Sequence, residues 1–126
     1  MPGIIGIIGN KANAVLLREM CEKINYHSYQ SDQYNVQGVS LARVHHGYVN
    51  KQHQPVFSGD NRHVCVMTGE IFGIDGLPEG IIENDIEVFL DLFIKEGLSL
   101  LPKVNGQYSA CIYDFKEQTA YLISDR

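Results

Sequence analysis

Residues His63 to Phe72 carry apolar side chains on both faces at once, with Val64 and Val66 alternating with Cys65 and Met67. A strand of that kind cannot leave one side in water, so it belongs at the centre of a sheet sandwiched by other layers. The chain has the material for those layers. Its 44% hydrophobic and 20% charged residues are ordinary for a globular protein, and 126 residues suffice for one domain with a buried core.

Around that strand the pattern alternates between the two regular periods. Ile4 to Ile8 is apolar and β-branched between Gly3 and Gly9, which suits a short buried strand. Asn10 or Asn13 then caps a helix running to about Ile24, with Ala12, Val15, Leu16, Met20 and Ile24 at helical spacing. Tyr26 to Gln33, including Ser28, reads as a polar loop with aromatics. Val36 to Val44 reads as a strand, which Gly47 to Val49 continues after a kink at His45-His46. Pro55-Val56-Phe57 is a short edge piece. Gly73 to Glu83 is turn-rich, with turn chemistry at Asp75-Gly76 and Glu79-Gly80. Ile86, Phe89, Leu90 and Phe93 mark a second helix that Gly97 ends, followed by a helical turn at Leu98 to Leu101. Gln107 to Tyr113 and Thr119 to Ser124 form a hairpin around Asp114 to Gln118. Two helices separated by a run of strands imply mixed α+β layers and not a regularly alternating parallel sheet.

Charge and composition exclude several functions. The net charge is −5 and there is no Lys/Arg-rich block, so neither nucleic acid nor an anionic membrane surface finds electrostatic support. No apolar run approaches the ~20 residues of a membrane span, and the start lacks a signal-peptide pattern. Cys21, Cys65 and Cys111 are an odd number without paired spacing, each among apolar neighbours. They read as reduced core thiols, which gives the expectation of a cytoplasmic protein. Of His27, His45, His46, His53 and His63, only His45 and His46 are close in sequence, and neighbours on a strand face opposite ways, so no metal site is expected. Glu83, Asp85 and Glu87 lack calcium-loop spacing and fit the acidic bias of a helix N-terminus.

Several segments taken in order carry a family resemblance. They are Met1-Pro2-Gly3-Ile4 with its Gly-punctuated apolar run, His53-Gln54-Pro55-Val56, Thr68-Gly69-Glu70-Ile71-Phe72-Gly73, Glu83-Asn84-Asp85-Ile86-Glu87-Val88, and Val104-Asn105-Gly106-Gln107-Tyr108-Ser109-Ala110 through Asp114 to Leu122-Ile123-Ser124-Asp125-Arg126. Together they resemble the class II glutamine amidotransferase domain of the asparagine synthetase family, across essentially the whole chain. The resemblance implies a four-layer αββα N-terminal-nucleophile hydrolase-like fold. It also implies that residues 1–126 are one partial domain, truncated at its C-terminus, with the synthetase domain absent.

In that family a Cys exposed by initiator Met removal attacks the glutamine amide, and its own α-amino group handles the proton. Here Pro2 stands at that position. The resemblance puts the oxyanion donors at Thr68, in place of an Asn amide, and at the Gly69 backbone N–H. Losing one such donor typically costs about 2.7–4 kcal/mol in the transition state. Glu70 and Asp85 match substrate-contacting positions, although an anionic Asp85 at a helix N-terminus is also simply good capping. His45 falls at the Arg that clamps the α-carboxylate, and Arg43, on the same face of the strand, offers a substitute. The family's Arg-Gly-Pro-Asp loop has no clear counterpart in Tyr26 to Gln33.

These departures give the expectation of a degenerate glutaminase domain with no catalytic residues of its own. It would act as scaffold for an ATP-dependent synthetase domain in cis or trans, as in β-lactam synthetases and lasso-peptide cyclases. ATP and Mg belong to that partner and no cofactor to this chain. The alternative is a non-catalytic regulatory module holding an amino acid in the old glutamine pocket. A homo-oligomer stays open. A third idea, Pro2 as an amine base or imine-forming nucleophile after Met1 removal, finds no carbonyl substrate specified elsewhere in the sequence.

Overall fold

The computed structural model describes residues 2–27, 29–78 and 84–125. The expected turn at Glu79-Gly80, Glu83 of the acidic cluster, Ser28 of the polar loop and the closing Arg126 lie outside the described residues.

Two antiparallel sheets form the interior. The first is built from β1 (Gly3–Ile8), β2 (Gln30–Val36) and β3 (Val39–His45) in the order β1-β3-β2. The second is built from β4 (Val56–Phe57), β5 (His63–Ile74), β6 (Val104–Asp114) and β7 (Thr119–Ser124) in the order β4-β5-β6-β7. Helix α1 (Ala14–Ile24) covers the first sheet, and α2 (Asp85–Glu96), followed by a 3-10 helix (Gly97–Lys103), covers the second. The protein is therefore an α+β sandwich of the N-terminal-nucleophile hydrolase type, with its helices outside and its two sheets face to face.

Strand alternation builds this layering. Along β3, Val39 and Leu41 point between the sheets to meet Val64, Val66, Cys111 and Tyr113, while Ala42 and Val44 face α1 with Ile5, Leu17 and Cys21. Along β5, Val64 and Val66 point inward while Cys65 and Met67 join the α2 cluster of Ile86, Phe89, Leu90, Phe93 and Leu100. The two-faced apolar reading of His63 to Phe72 thus holds, and β5 is a central strand. Burial of a side chain such as Phe89 contributes about 1.5–3 kcal/mol. At the far edge, Tyr34 of β2 stacks edge-on against Phe57 of β4, with ring centroids 5.4 Å apart.

Both helices are capped, by different means. Asn13 accepts the Leu16 amide hydrogen at 2.7 Å, as an N-cap should. Gly97, at φ +64°, ends α2 with its N–H on the Phe93 carbonyl. The inward face of α1 is rotated from the expected stripe. Leu17, Cys21 and Ile24 pack on the sheet, whereas Val15 and Met20 are exposed. The helix carries apolar residues on two faces, and the sheet beneath selects one of them.

Three loop and strand expectations are corrected. Residues Gln30–Val36, expected to continue the polar loop through Gln33, form edge strand β2, paired in register with β3 from Gln30↔His45 to Val36↔Val39. The expected single strand Val36 to Val44 is instead broken by a two-residue turn, Gln37-Gly38, with Gly38 at φ +83°. Gly47 to Val49 does not continue β3 but lies in a loop. The hairpin of β6 and β7 stands as expected.

Candidate functional site

The β5–β6 pair shapes the site through close backbone approach. At Gly69, φ is +96°, and a Cβ there would lie 2.0 Å from the Gln107 carbonyl oxygen. A Cβ on Gly106 would lie 2.5 Å from the Glu70 carbonyl oxygen. Only glycine fits at either point. Immediately beyond, the ladder slips between Ile71 and Gly73, so Phe72 is an extra, bulged residue. That bulge turns Phe72 outward, where it is 52% exposed.

Two concavities flank this stretch. The smaller, about 370 Å³, is lined by Pro2, His46, Thr68, Gly69, Gln107, Tyr108, Ser109 and Asp125. The larger, about 640 Å³, runs from loop residues Tyr48 to Gln52 across Glu70, Ile71 and Phe72 to Asn84 and Asp85. The structure thus brings Pro2, Thr68 and Gly69 together on one side and Glu70 with Asp85 on the other. Asn50 bridges the two regions, since it lines the larger cavity and its amide donates to the Gly69 carbonyl.

Asp85 is the least conventional group in the larger cavity. It is buried, and its Oδ2 accepts the Ile71 amide hydrogen at 3.0 Å, which ties the first turn of α2 to β5. Its Oδ1 has no hydrogen-bond partner among the described residues. Burial pushes its carboxyl up from the ordinary value, against the opposing pull of the Ile71 amide, Asn50 and the Ile86 amide. Asp85 opens the first turn of α2, as expected of an acidic residue at a helix N-terminus. The cap position is Asn84, in a left-handed conformation and without a side-chain cap bond, and the Asp85 carboxylate reaches across to the strand instead.

His45 lines neither concavity. It ends β3, buried, with Nε2 3.5 Å from Asp32 and Nδ1 without a hydrogen-bond partner among the described residues. Burial, followed by the Arg43 charge, lowers its pKa, so it is a neutral imidazole near pH 7. Arg43 shares its strand face, as expected, but does not offer a substitute clamp. The guanidinium is 1% exposed, with Nε on Asp32 at 2.6 Å, Nη1 on the Asn50 carbonyl at 2.8 Å and Nη2 on the Gln52 carbonyl at 2.7 Å. It pins the loop that walls the larger cavity. Gln54 does the same from below, accepting the Met67 amide hydrogen at 2.7 Å. Sequence reading missed Asp32, Asn50 and Tyr48. Only the Gln54-Pro55 segment drew attention to that loop.

The family's sequence pattern decides what this scaffold is: that of the glutamine amidotransferase domain matches residues 1–126. The chain belongs to that family. This amidotransferase domain is also 23% identical over 141 aligned positions to asparagine synthetase [glutamine-hydrolyzing] 2 of Bacillus subtilis (strain 168). The alignment covers 100% of this chain and 19% of that protein, so the chain spans about a fifth of the length of the curated relative.

Two further sequence candidates of the amidotransferase domain, Cys65 and Cys111, lie in its core. Cys65 and Cys111 are buried, and burial raises both thiols, Cys111 to about 11, which keeps them protonated. Among the described residues no group of three or more His, Cys, Asp or Glu is arranged to hold a metal ion. No described helix is long and apolar enough to cross a membrane.

Proposed function

We propose that this amidotransferase domain is a degenerate glutaminase, in which Pro2 occupies the place of the nucleophilic cysteine and brings neither thiol nor hydroxyl. The observation that carries this reading is the shared wall of the smaller concavity, where Pro2 lies with Thr68 and Gly69, the residues expected at the oxyanion position. The displaced His45 and the engaged Arg43 support it, because both leave the carboxylate clamp unmade. The domain then serves as scaffold for an ATP-dependent, amide-forming synthetase domain in cis or in trans. ATP and magnesium act in that partner, and a cytoplasmic location goes with it. The 19% coverage of the Bacillus relative is compatible with such a partner region.

Ammonia release from glutamine by the purified chain and by a Pro2→Cys variant tests this. The unmodified chain is expected to release none, and release by it would overturn the reading. Release by Pro2→Cys alone would make residue 2 the sole lesion.

A second reading is favoured by one specific feature, the unpartnered Asp85 Oδ1 in a cavity of about 640 Å³. A buried acceptor without a donor costs about 1–3 kcal/mol, and a ligand that supplies the donor removes that cost. In this reading the old glutamine pocket is a regulatory amino-acid site formed by Glu70 and Asp85. Protection of the chain against thermal unfolding by free amino acids, abolished in Asp85→Asn, is the expected result.

A further inference from the structure

We propose that the Asn50 side chain is a gate on the larger cavity. Its carboxamide holds the Gly69 carbonyl, and an amino acid reaches Asp85 by displacing it. This deepens the binding-module reading and rests on it.

The need for a gate comes from Asp85. The carboxylate belongs to the cavity wall, yet its Oδ1 is shielded from solvent and its Oδ2 is spent on the Ile71 amide at 3.0 Å. A ligand bonds such a group only after something else has moved. Asn50 lines the same cavity, and its side chain, with the Ile86 amide, acts on the same carboxylate. Its Nδ2 also donates to the carbonyl of Gly69 on β5. A carboxamide nitrogen carries two N–H donors, and an ammonium carries three. An entering amino acid would spend its donors on the acceptors that Asn50 already serves, so side chain and ligand compete.

What moves is decided by how the loop is fastened. Asn50 sits at φ +49°, a left-handed conformation that Asn tolerates better than most residues. Its carbonyl is held by Arg43 Nη1 at 2.8 Å, and the Gln52 carbonyl by Nη2 at 2.7 Å. The Arg43 charge is answered by Asp32 at 2.6 Å, which also takes His53 at 2.9 Å. Gln54 then fixes the far end of the loop on the Met67 amide at 2.7 Å. The loop backbone is thus tied to a strand of each sheet, β3 through Arg43 and β5 through Met67. A guanidinium holds the Asn50 backbone, whereas the half-buried side chain ends on a neutral carbonyl, the weaker class of bond. Opening is therefore a side-chain rotation over a still backbone. Ligand affinity falls in proportion to the fraction of molecules in which that rotation has occurred.

The test is calorimetric titration of the whole chain and of Asn50→Gly with L-glutamine. Glycine accepts the positive φ and keeps the carbonyl that Arg43 holds, so the loop stays fastened while the gate is removed. Asn50→Gly is expected to bind glutamine tighter by about tenfold or more, as for a gate open about a tenth of the time or less. A second measurement follows the Asn50 carboxamide protons by NMR. They should exchange slowly with water before glutamine is added and rapidly once it saturates the chain, while the Met67 amide, held by Gln54, stays protected. Equal affinities of the two proteins would overturn the gate and leave the amino-acid site in place. Binding by neither would overturn the gate and the binding-module reading together. Rapid exchange of the Asn50 protons before glutamine is added would overturn the gate whatever the affinities.

Discussion

Asp114 and Asp85 are each 4% exposed, and the fold treats them in opposite ways. Asp114, at the end of β6, is saturated. It takes Arg62 in a two-bond fork at 2.9 and 2.7 Å, His63 at 3.3 Å, and the Lys116 and Glu117 amides at 2.9 and 3.2 Å. The Arg62 guanidinium, ahead of the turn amides, holds its carboxyl well below the usual carboxylate range. Asp85 packs against the other end of the same strand pair with one bond from Ile71 and a bare second oxygen, and burial pushes its carboxyl up. One end of the β5–β6 ribbon is fastened by electrostatics. The other is held open by glycines, a bulge and an incompletely solvated charge. Buried carboxylates with shifted pKa values cluster at functional sites, though structural ion pairs shift them too.

The largest expected effect that sharpens this contrast is Gly69→Ala. The new Cβ meets the Gln107 carbonyl and an unfavourable positive φ, so a loss of at least about 3 kcal/mol is expected in urea unfolding. An unchanged midpoint would show that the two strands are less tightly apposed than the structure has them.

Asp114→Asn comes next. A carboxyl with a depressed folded pKa contributes stability above the unfolded value of about 4, and that contribution disappears as pH falls below it. The variant should therefore have a lower Tm at pH 7 and a shallower loss of stability between about pH 4 and pH 2. A parallel acid limb in both proteins would break the assignment.

Asp85→Asn is the smallest change in stability and has the opposite sign. A carboxyl with a raised folded pKa costs nothing while both states are protonated. The cost appears as pH rises through the unfolded value and saturates above the folded one. Removing the charge should raise Tm slightly at pH 7 and have no effect near pH 3, at the expense of ligand binding. A destabilised Asp85→Asn would erase the difference between the two ends.

What could be read from the residues alone divides along similar lines. Strand β5 was legible because each of its faces meets a different apolar layer, and α2 because Ile86, Phe89, Leu90 and Phe93 all face one sheet. Strand β2, Gln-Ser-Asp-Gln-Tyr-Asn-Val, was not legible. Its buried Asp32 is held inside by Arg43 of the neighbouring strand at 2.6 Å and by His53 at 2.9 Å, and no local pattern encodes those partners. In α1 the outward Val15 and Met20 compete with Leu17 and Cys21 for the inward face, and only the sheet resolves the choice. At the site, Thr68 lies on β5 and Asp85 opens α2 with its Oδ2 on the Ile71 amide of that strand. Whether Arg43 was available to a ligand depended on the carbonyls of Asn50 and Gln52, which sequence spacing cannot show.

The pairing of β5 with β6 has a consequence for the thiols. Cys65 lies opposite Ile112 and Cys111 opposite Val66, so the two cysteines are diagonal neighbours on adjacent strands whose side chains leave by opposite faces, one toward α2 and the other between the sheets. Cys21 is in a third layer, beneath α1. No two of the three can join without dismantling the sandwich. The reduced state of these cysteines is therefore written into the weave of the strands, and an oxidising surrounding would find nothing in the folded protein to staple.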